Sequence, residues 1–371
     1  MRVVCYRESL LAACQLASAA IPAKDLKPIL KNLKAVAGDG RFTLIATDQE
    51  VGIRLDVQGL QIDEPGEAIL PAAKLIAILR ETRDNQLSIE ADPSACVVRD
   101  TAKKLEFEML SEDPAQFPDF PTFVEDRHHE ISAGSLREMI RRTVFATAEE
   151  TARFSMTGVL WELDGGTARL VATDGKRLAL AEGTATAVGG HTTKGQSPVV
   201  PSKAMGLLER NLQDDPEETV KVCLRPNDVL FRTGRAVIYS RLVDGRFPDY
   251  KLVIPKSTRV QVRLNTAAFQ AAVRQAAIMT DNDRRCVTFK FDRGKLTLLA
   301  QGATAGRSKI ELPLEYDAKP IDIGFNPEYL VDVLKVLPAD AELTVELNDG
   351  GSPAVFRCGE QYLYLVMPLT T

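Results

Sequence analysis

Apolar residues along this chain keep two rhythms. Leu136, Met139, Ile140, Thr143 and Val144 hold the i, i+3, i+4, i+7, i+8 spacing of one helix face. Phe269, Ala272, Val273 and Ala276 form a second such stripe, and Tyr329, Leu330, Val333, Leu334 and Leu337 a third. Ser135 with Glu138 three positions on has the form of a capping box and predicts a helix start at Ser135. Pro71, Pro201 and Asn326 each precede a further helical stretch, where proline or a polar residue suits the first turn. Between the helices the rhythm changes. Val159–Val171, broken by Asp164-Gly165-Gly166, reads as strand, turn, strand, and Val287–Leu298 reads the same way. The expected architecture is α+β, with two helices packed on antiparallel sheet in each of several domains.

The pattern repeats. Ile69-Leu70-Pro71-Ala72-Ala73-Lys74-Leu75 returns as Val199-Val200-Pro201-Ser202-Lys203-Ala204-Met205, and more weakly as Gly324-Phe325-Asn326-Pro327-Glu328-Tyr329-Leu330. The first two copies lie 130 positions apart and the last two 125. Leu44-Ile45-Ala46-Thr47-Asp48 recurs as Leu170-Val171-Ala172-Thr173-Asp174, then as Leu298-Leu299-Ala300-Gln301-Gly302 without the Thr-Asp pair. Phe117-Pro118-Asp119-Phe120 recurs as Phe247-Pro248-Asp249-Tyr250. A period this long matches a whole small domain rather than a solenoid unit. Three similar domains are expected, at 1–125, 126–256 and 257–371. Linkers are expected near Thr122–His129 and Pro255–Arg259, and an exposed loop over Gly183–Ser197.

The 371 residues carry a net charge of −5, which argues against a protein that coats nucleic acid with a uniformly basic surface. It leaves room for a local basic face. Six scattered cysteines with no C-x-x-C pair read as buried, reduced thiols. No apolar run is long enough to span a bilayer, and Met1–Glu8 does not open a signal peptide.

The search for catalytic chemistry finds little. No phosphate-binding G-x-x-x-x-G-K-[ST] loop is present, and Gly189–Gly195 has the wrong spacing. Of three histidines, His128 and His129 read as part of a polar linker rather than a metal site; His191 falls in the glycine-rich loop. Thr47-Asp48 and Thr173-Asp174 read as side-chain-to-backbone turns at strand ends rather than as catalytic acids. The basic residues Lys74, Arg80, Arg137, Arg141, Lys203, Arg210, Arg274 and Lys335 lie on or beside the non-core faces of predicted helices. If equivalent helices share one surface, that surface suits a phosphate backbone without reading bases.

Val171–Ala179, Leu242–Tyr250, Ile323–Asn326 and Val366-Met367-Pro368 resemble the β subunit of bacterial DNA polymerase III, the β sliding clamps, from the first helix to the last residues. The resemblance implies a clamp fold of three domains and a head-to-tail homodimeric ring. The ring would encircle double-stranded DNA without sequence preference and act as a processivity factor in the cytoplasm. It implies no catalytic site, cofactor or metal.

It also implies partners: a separate clamp loader, the replicative polymerase α subunit, repair polymerases, ligase and mismatch-repair proteins, bound through short peptide motifs. DNA-contacting positions would be Lys24, Lys74, Arg80, Lys203 and Arg285. The peptide pocket would comprise Met156, Thr173, Gly175, Arg177, Leu178, Pro248, Val253, Val366, Met367, Pro368 and Leu369. The dimer contact would use Phe107, Met109, Ile278 and Met279. Departures are Lys24 for a frequent arginine, Ser155 for an aromatic, Lys176 for a frequent histidine, and Thr370-Thr371 where an arginine is often found. A monomeric peptide-binding adaptor on the same fold is the alternative. A hydrolase using Asp48 or Asp174 would need an acid–base partner the sequence does not offer.

Overall fold

The computed structural model describes residues 1–371 apart from 24–26, 103, 150–153, 214, 282–284, 304 and 370–371. Among the described residues there are six α-helices: α1 (Arg7–Ser18), α2 (Ala72–Glu81), α3 (Ala133–Thr143), α4 (Ser202–Asn211), α5 (Thr266–Ala277) and α6 (Pro327–Val336). Each repeat thus contributes two. The apolar stripes face inward as expected: Leu136, Met139, Ile140 and Thr143 of α3 are buried, as are Phe269, Ala272, Val273 and Ala276 of α5. Asn326 caps α6, its side chain accepting from the Glu328 amide at 3.0 Å, with Pro327 in the first turn. The cap expected at Ser135 falls inside the helix. The helix begins two residues earlier because the His128–Ser132 strand runs directly into it, and the Ala133 amide bonds to Glu218 O at 2.8 Å.

Two compact units form. The first holds residues 1–134, 164–166 and 185–242. It contains a five-stranded antiparallel sheet whose outermost strand is Glu106–Leu110, and a nine-stranded sheet in which Ala236–Arg241 pairs with Val51–Val57. Helices α1 and α4 pack on one face of the nine-stranded sheet. The connecting segment crosses the strands above Ile45 and Tyr239, with Phe117, Phe120 and Phe123 buried in two apolar clusters. Gly52 is required there: a Cβ would come within 2.7 Å of the Phe120 ring.

The second unit holds residues 135–163, 167–184 and 243–371. Its larger sheet pairs Arg177–Thr184 with Tyr362–Val366. Its four-stranded sheet has Gly306–Pro313 at one edge. Trp161, Phe269, Phe289, Phe325, Phe356, Tyr362 and Tyr364 are fully buried in this unit.

The two units use one pairing rule. Ile238 faces Ile53 in the first, and Tyr364 faces Ala179 in the second. Ile53 and Ala179 are equivalent, since each sits opposite the alanine of the repeated Leu-x-Ala motif, Ala46 or Ala172. The third-repeat equivalent is Ser308, opposite Ala300. Ile238 and Tyr364 are likewise equivalent, opposite Phe231 and Phe356, and the first-repeat equivalent is Phe107, opposite Val98. Phe107 and Ser308 lie on strands with an open outer edge among the described residues.

Two expectations are revised. His128 and His129 belong to a strand and are buried, so they are not linker residues. Gly183–Ser197 is not wholly exposed loop: Thr186–Val188 pairs with His128–Glu130, and His191 and Thr193 are buried. The six cysteines are free, four of them buried, and burial pushes the Cys5 and Cys96 thiols up to about 12.

Candidate functional site

The Thr-Asp turns come first, because they position everything near them. Thr173 ends its strand with its hydroxyl donating to Arg177 O at 2.6 Å and accepting from the Gly175 amide at 3.1 Å. Asp174 Oδ1 accepts from the amides of Lys176 and Arg177 at 2.9 and 3.0 Å. Gly175 has φ +87°, which an L side chain rarely adopts. Thr47 and Asp48 make the same turn, Asp48 Oδ1 accepting from Glu50 and Val51. The local reading of these pairs holds, and Asp48 and Asp174 are occupied with backbone.

The turn aims Arg177 inward. Its Nε bonds to Asp174 Oδ2 at 3.0 Å, Nη1 to Asp332 Oδ2 at 2.7 Å and Nη2 to Phe145 O at 2.8 Å. The guanidinium lies 4.6 Å from the Tyr329 ring centroid. Burial opposes its charge, but Tyr364, Asp332 and Asp174 outweigh that and hold it above its ordinary range. Arg177 therefore works as a clasp between the turn and α6. Asp332, Tyr329 and Phe145 complete this arrangement, and only their place in the fold reveals it.

The closing segment lies beside the turn. Arg177 pairs with Val366, the Met367 amide donates to Lys176 O at 2.8 Å, and the Leu369 amide to Gly324 O at 2.8 Å. Leu178 and Val366 are buried, whereas Met367 is 40 % and Val253 47 % exposed. Pro248 is exposed, Met156 partly so, and a Cβ on Gly245 would sit 3.6 Å from Ser155 Cβ. Thr173–Leu178 and Val366–Leu369 are thus brought together, with exposed apolar side chains beside a tight turn.

Three family profiles match in chain order, described as the N-terminal, central and C-terminal domains of the DNA polymerase III beta subunit, over residues 1–121, 130–249 and 251–370. The chain belongs to the DNA polymerase III β subunit family, the sliding clamps. It is similar to the beta sliding clamp of Pseudomonas putida, at 32% identity with both chains covered in full, and to that of Escherichia coli, at 28% with the same coverage. In structure it is similar to a Pseudomonas aeruginosa sliding clamp bound to griselimycin, at TM-score 0.91, 29% identity and 100% coverage of both chains. A Bartonella birtlesii clamp, also bound to griselimycin, matches at TM-score 0.90 and 27% identity with the same coverage. Sliding clamps are processivity factors of DNA replication, and this is the role of the chain.

The expected DNA-contacting residues of this clamp differ in their surroundings. Lys74 and Arg80 are exposed on α2. Lys203 is held: its Nζ lies 2.6 Å from Asp48 Oδ2 and 3.3 and 3.4 Å from the carbonyls of Ala20 and Ile21 beyond the end of α1. Arg285 is exposed and paired with Glu328. Lys24 lies outside the described residues. Of the expected dimer contacts, Ile278 is 71 % and Phe107 39 % exposed, Met279 is partly exposed, and Met109 is already buried opposite Cys96. Among the described residues no group of His, Cys, Asp and Glu could hold a metal, and no helix is long and apolar enough to cross a membrane.

Proposed function

We propose that two copies of this clamp close head to tail into a ring. The Glu106–Leu110 edge of one chain pairs with the Gly306–Pro313 edge of the other. The observation that carries this reading is the repeated register. Continuing it sets Phe107 opposite Ser308, and so sets Glu106 opposite Lys309 and Glu108 opposite Arg307. Two acidic residues on one edge meet two basic residues on the other, the arrangement that favours a cross-strand pair. Ser308 donates to Ala276 O at 3.0 Å at the end of α5, so Phe107 would arrive near Ile278 and Met279. Burying that apolar cluster suits an interface core, and two such contacts make a finite assembly.

Duplex DNA passes through this ring, and Lys74, Arg80 and Arg285, with Lys24 and Lys203, supply phosphate contacts weak enough to slide. Partners dock an extended peptide on the apolar hollow formed by Met156, Thr173, Gly175, Leu178, Pro248, Val253 and Val366–Leu369, with Arg177 holding the floor. That two related clamps were crystallised with griselimycin supports a ligand-binding hollow in this fold. The chain itself carries no catalysis, and loading falls to a separate ATP-driven loader. Light scattering tests the assembly. A mass near twice 40.6 kDa supports the ring, and a monomer at every concentration would favour the peptide-binding adaptor.

A further inference from the structure

On the first unit, the sheet face opposite α1 and α4 carries a groove of about 280 Å³ beside the Phe117–Phe123 segment. Four arginines line it: Arg41, Arg54, Arg232 and Arg235. Most buried or half-buried arginines elsewhere have carboxylate partners, as Arg99, Arg169, Arg177 and Arg225 do. Here Arg54 and Arg235 are half-buried, and of the two only Arg54 is paired, with Asp119, while Arg41 and Arg232 are exposed at the rim. The side chains of Arg41 and Arg232 have no hydrogen bond or ion pair among the described residues. Arg235 has one long bond, 3.4 Å to Arg210 O, and no carboxylate contact. Burial pulls the Arg235 guanidinium below its ordinary range, and Glu218 offsets this only in part.

A second observation points the same way. Arg232 stands directly opposite Lys221 in the sheet ladder. Like charges in that position are destabilising unless an anion lies between or beside them. Lys221 reaches Glu130 at 3.6 Å, on the side away from the groove strands, which leaves Arg232 uncompensated. The one carboxylate lining the groove is Asp56, which accepts from Thr43 Oγ1 at 2.8 Å. The groove therefore carries four guanidinium groups against two carboxylates, Asp56 in its lining and Asp119 on Arg54, on a chain whose net charge is −5.

We propose that this groove is an oxyanion site, taking phosphate or carboxylate groups that two guanidinium forks can grip together. Planar forks match both chemistries bidentately. The volume admits a compact polyanion or the acidic side chains of a short segment, and lies below the range of ordinary drug-sized pockets. Because the groove is on the sheet face away from α1 and α4, it is separate from the helix residues assigned to duplex DNA.

The test uses the full chain and two probes, inorganic pyrophosphate and an octaglutamate peptide, titrated by calorimetry at constant ionic strength against potassium chloride. At least one binds, and Arg41→Gln/Arg232→Gln weakens that binding by about tenfold without lowering Tm in the absence of ligand, because neither side chain has a partner to lose and Arg232 no longer faces Lys221 as a like charge. Asp56→Asn tightens it, and Lys74→Gln/Arg80→Gln leaves it unchanged. Binding of pyrophosphate alone identifies a free phosphate ligand, binding of octaglutamate alone an acidic segment, and binding of both a general oxyanion site. The proposal is overturned if neither binds beyond the chloride control, or if the double arginine variant binds as tightly as the parent.

Discussion

Arg177 Nη1 lies 2.7 Å from Asp332 Oδ2 across 155 positions of chain. The contact joins the turn after Thr173 to α6, and the same guanidinium is stacked on Tyr329. Asp332→Ala should lower stability by about 1–2 kcal/mol, since a charged hydrogen bond is lost but Asp332 is partly solvent-screened. Urea denaturation of both single variants and of Arg177→Ala/Asp332→Ala checks this. The double variant should lose less than the sum of the singles, and strict additivity would contradict a coupled clasp.

Lys203 and the α2 residues should separate by phenotype. Lys203 Nζ is 2.6 Å from Asp48, so Lys203→Glu sets two carboxylates against each other and removes a tie to Ala20 and Ile21. It should lower both stability and DNA retention. Lys74→Glu and Arg80→Glu, exposed and without side-chain ties among the described residues, should lower retention alone, by about one unit in salt slope for each phosphate contact removed. Paired thermal melts and salt-dependent retention assays measure the difference.

The first unit should lose stability in mild acid. His129 Nδ1 and His191 Nδ1 are 2.7 Å apart, which leaves room for one proton between them, and His191 Nε2 lies 3.1 Å from the Leu224 carbonyl and 3.2 Å from its amide. Burial lowers the pKa of both rings; on His129 the charges of His191 and His128 add to this and the Gly165 backbone and Asp164 oppose it, and on His191 the Leu224 backbone opposes it while Arg127 and His128 add to it. The unfolded chain therefore binds more protons below its ordinary value of 6.5. The stability is complete above that pH and falls as pH drops through it toward the lower folded values, by at most about 1.4 kcal/mol per pH unit for each ring. Denaturation at pH 7.5 and 5.5 should show a smaller loss in His191→Gln than in the parent. Equal losses would show that the pair does not titrate as described.

The register also predicts charge complementation between copies. Glu106→Lys/Glu108→Lys should dissociate the dimer, as should Arg307→Glu/Lys309→Glu, whereas mixing the two variants should restore a mixed assembly. Sedimentation of each variant and of the mixture decides it. A mixture that stays monomeric would place the contact elsewhere or in another register.

The fold was legible because three copies of one pattern lie in order, so each stripe and turn is seen more than once. The Thr-Asp turns were legible because their hydrogen bonds reach only two to four residues along the chain. Arg177 with Asp332 and Lys203 with Asp48 were not, since each pair is separated by 155 positions and neither spacing has a local signature. His128 and His129 looked like linker because they follow a Pro- and charge-rich stretch. Their burial comes from strand pairing, His129 with Val222 and His128 with Val188, which composition does not announce. The start of α3 differs by two residues because Ser135 is a plausible cap that falls inside a helix the preceding strand sets going.

The most direct measurement is retention on circular and linear DNA. The protein is loaded by its own loader onto nicked plasmid, the complex is isolated by gel filtration at moderate salt, and half is then cut once with a restriction enzyme. A topological ring stays with the closed circle and leaves the linear molecule through its ends. Equal retention before and after cutting, or loss from both, would contradict a clamp that holds DNA by encircling it.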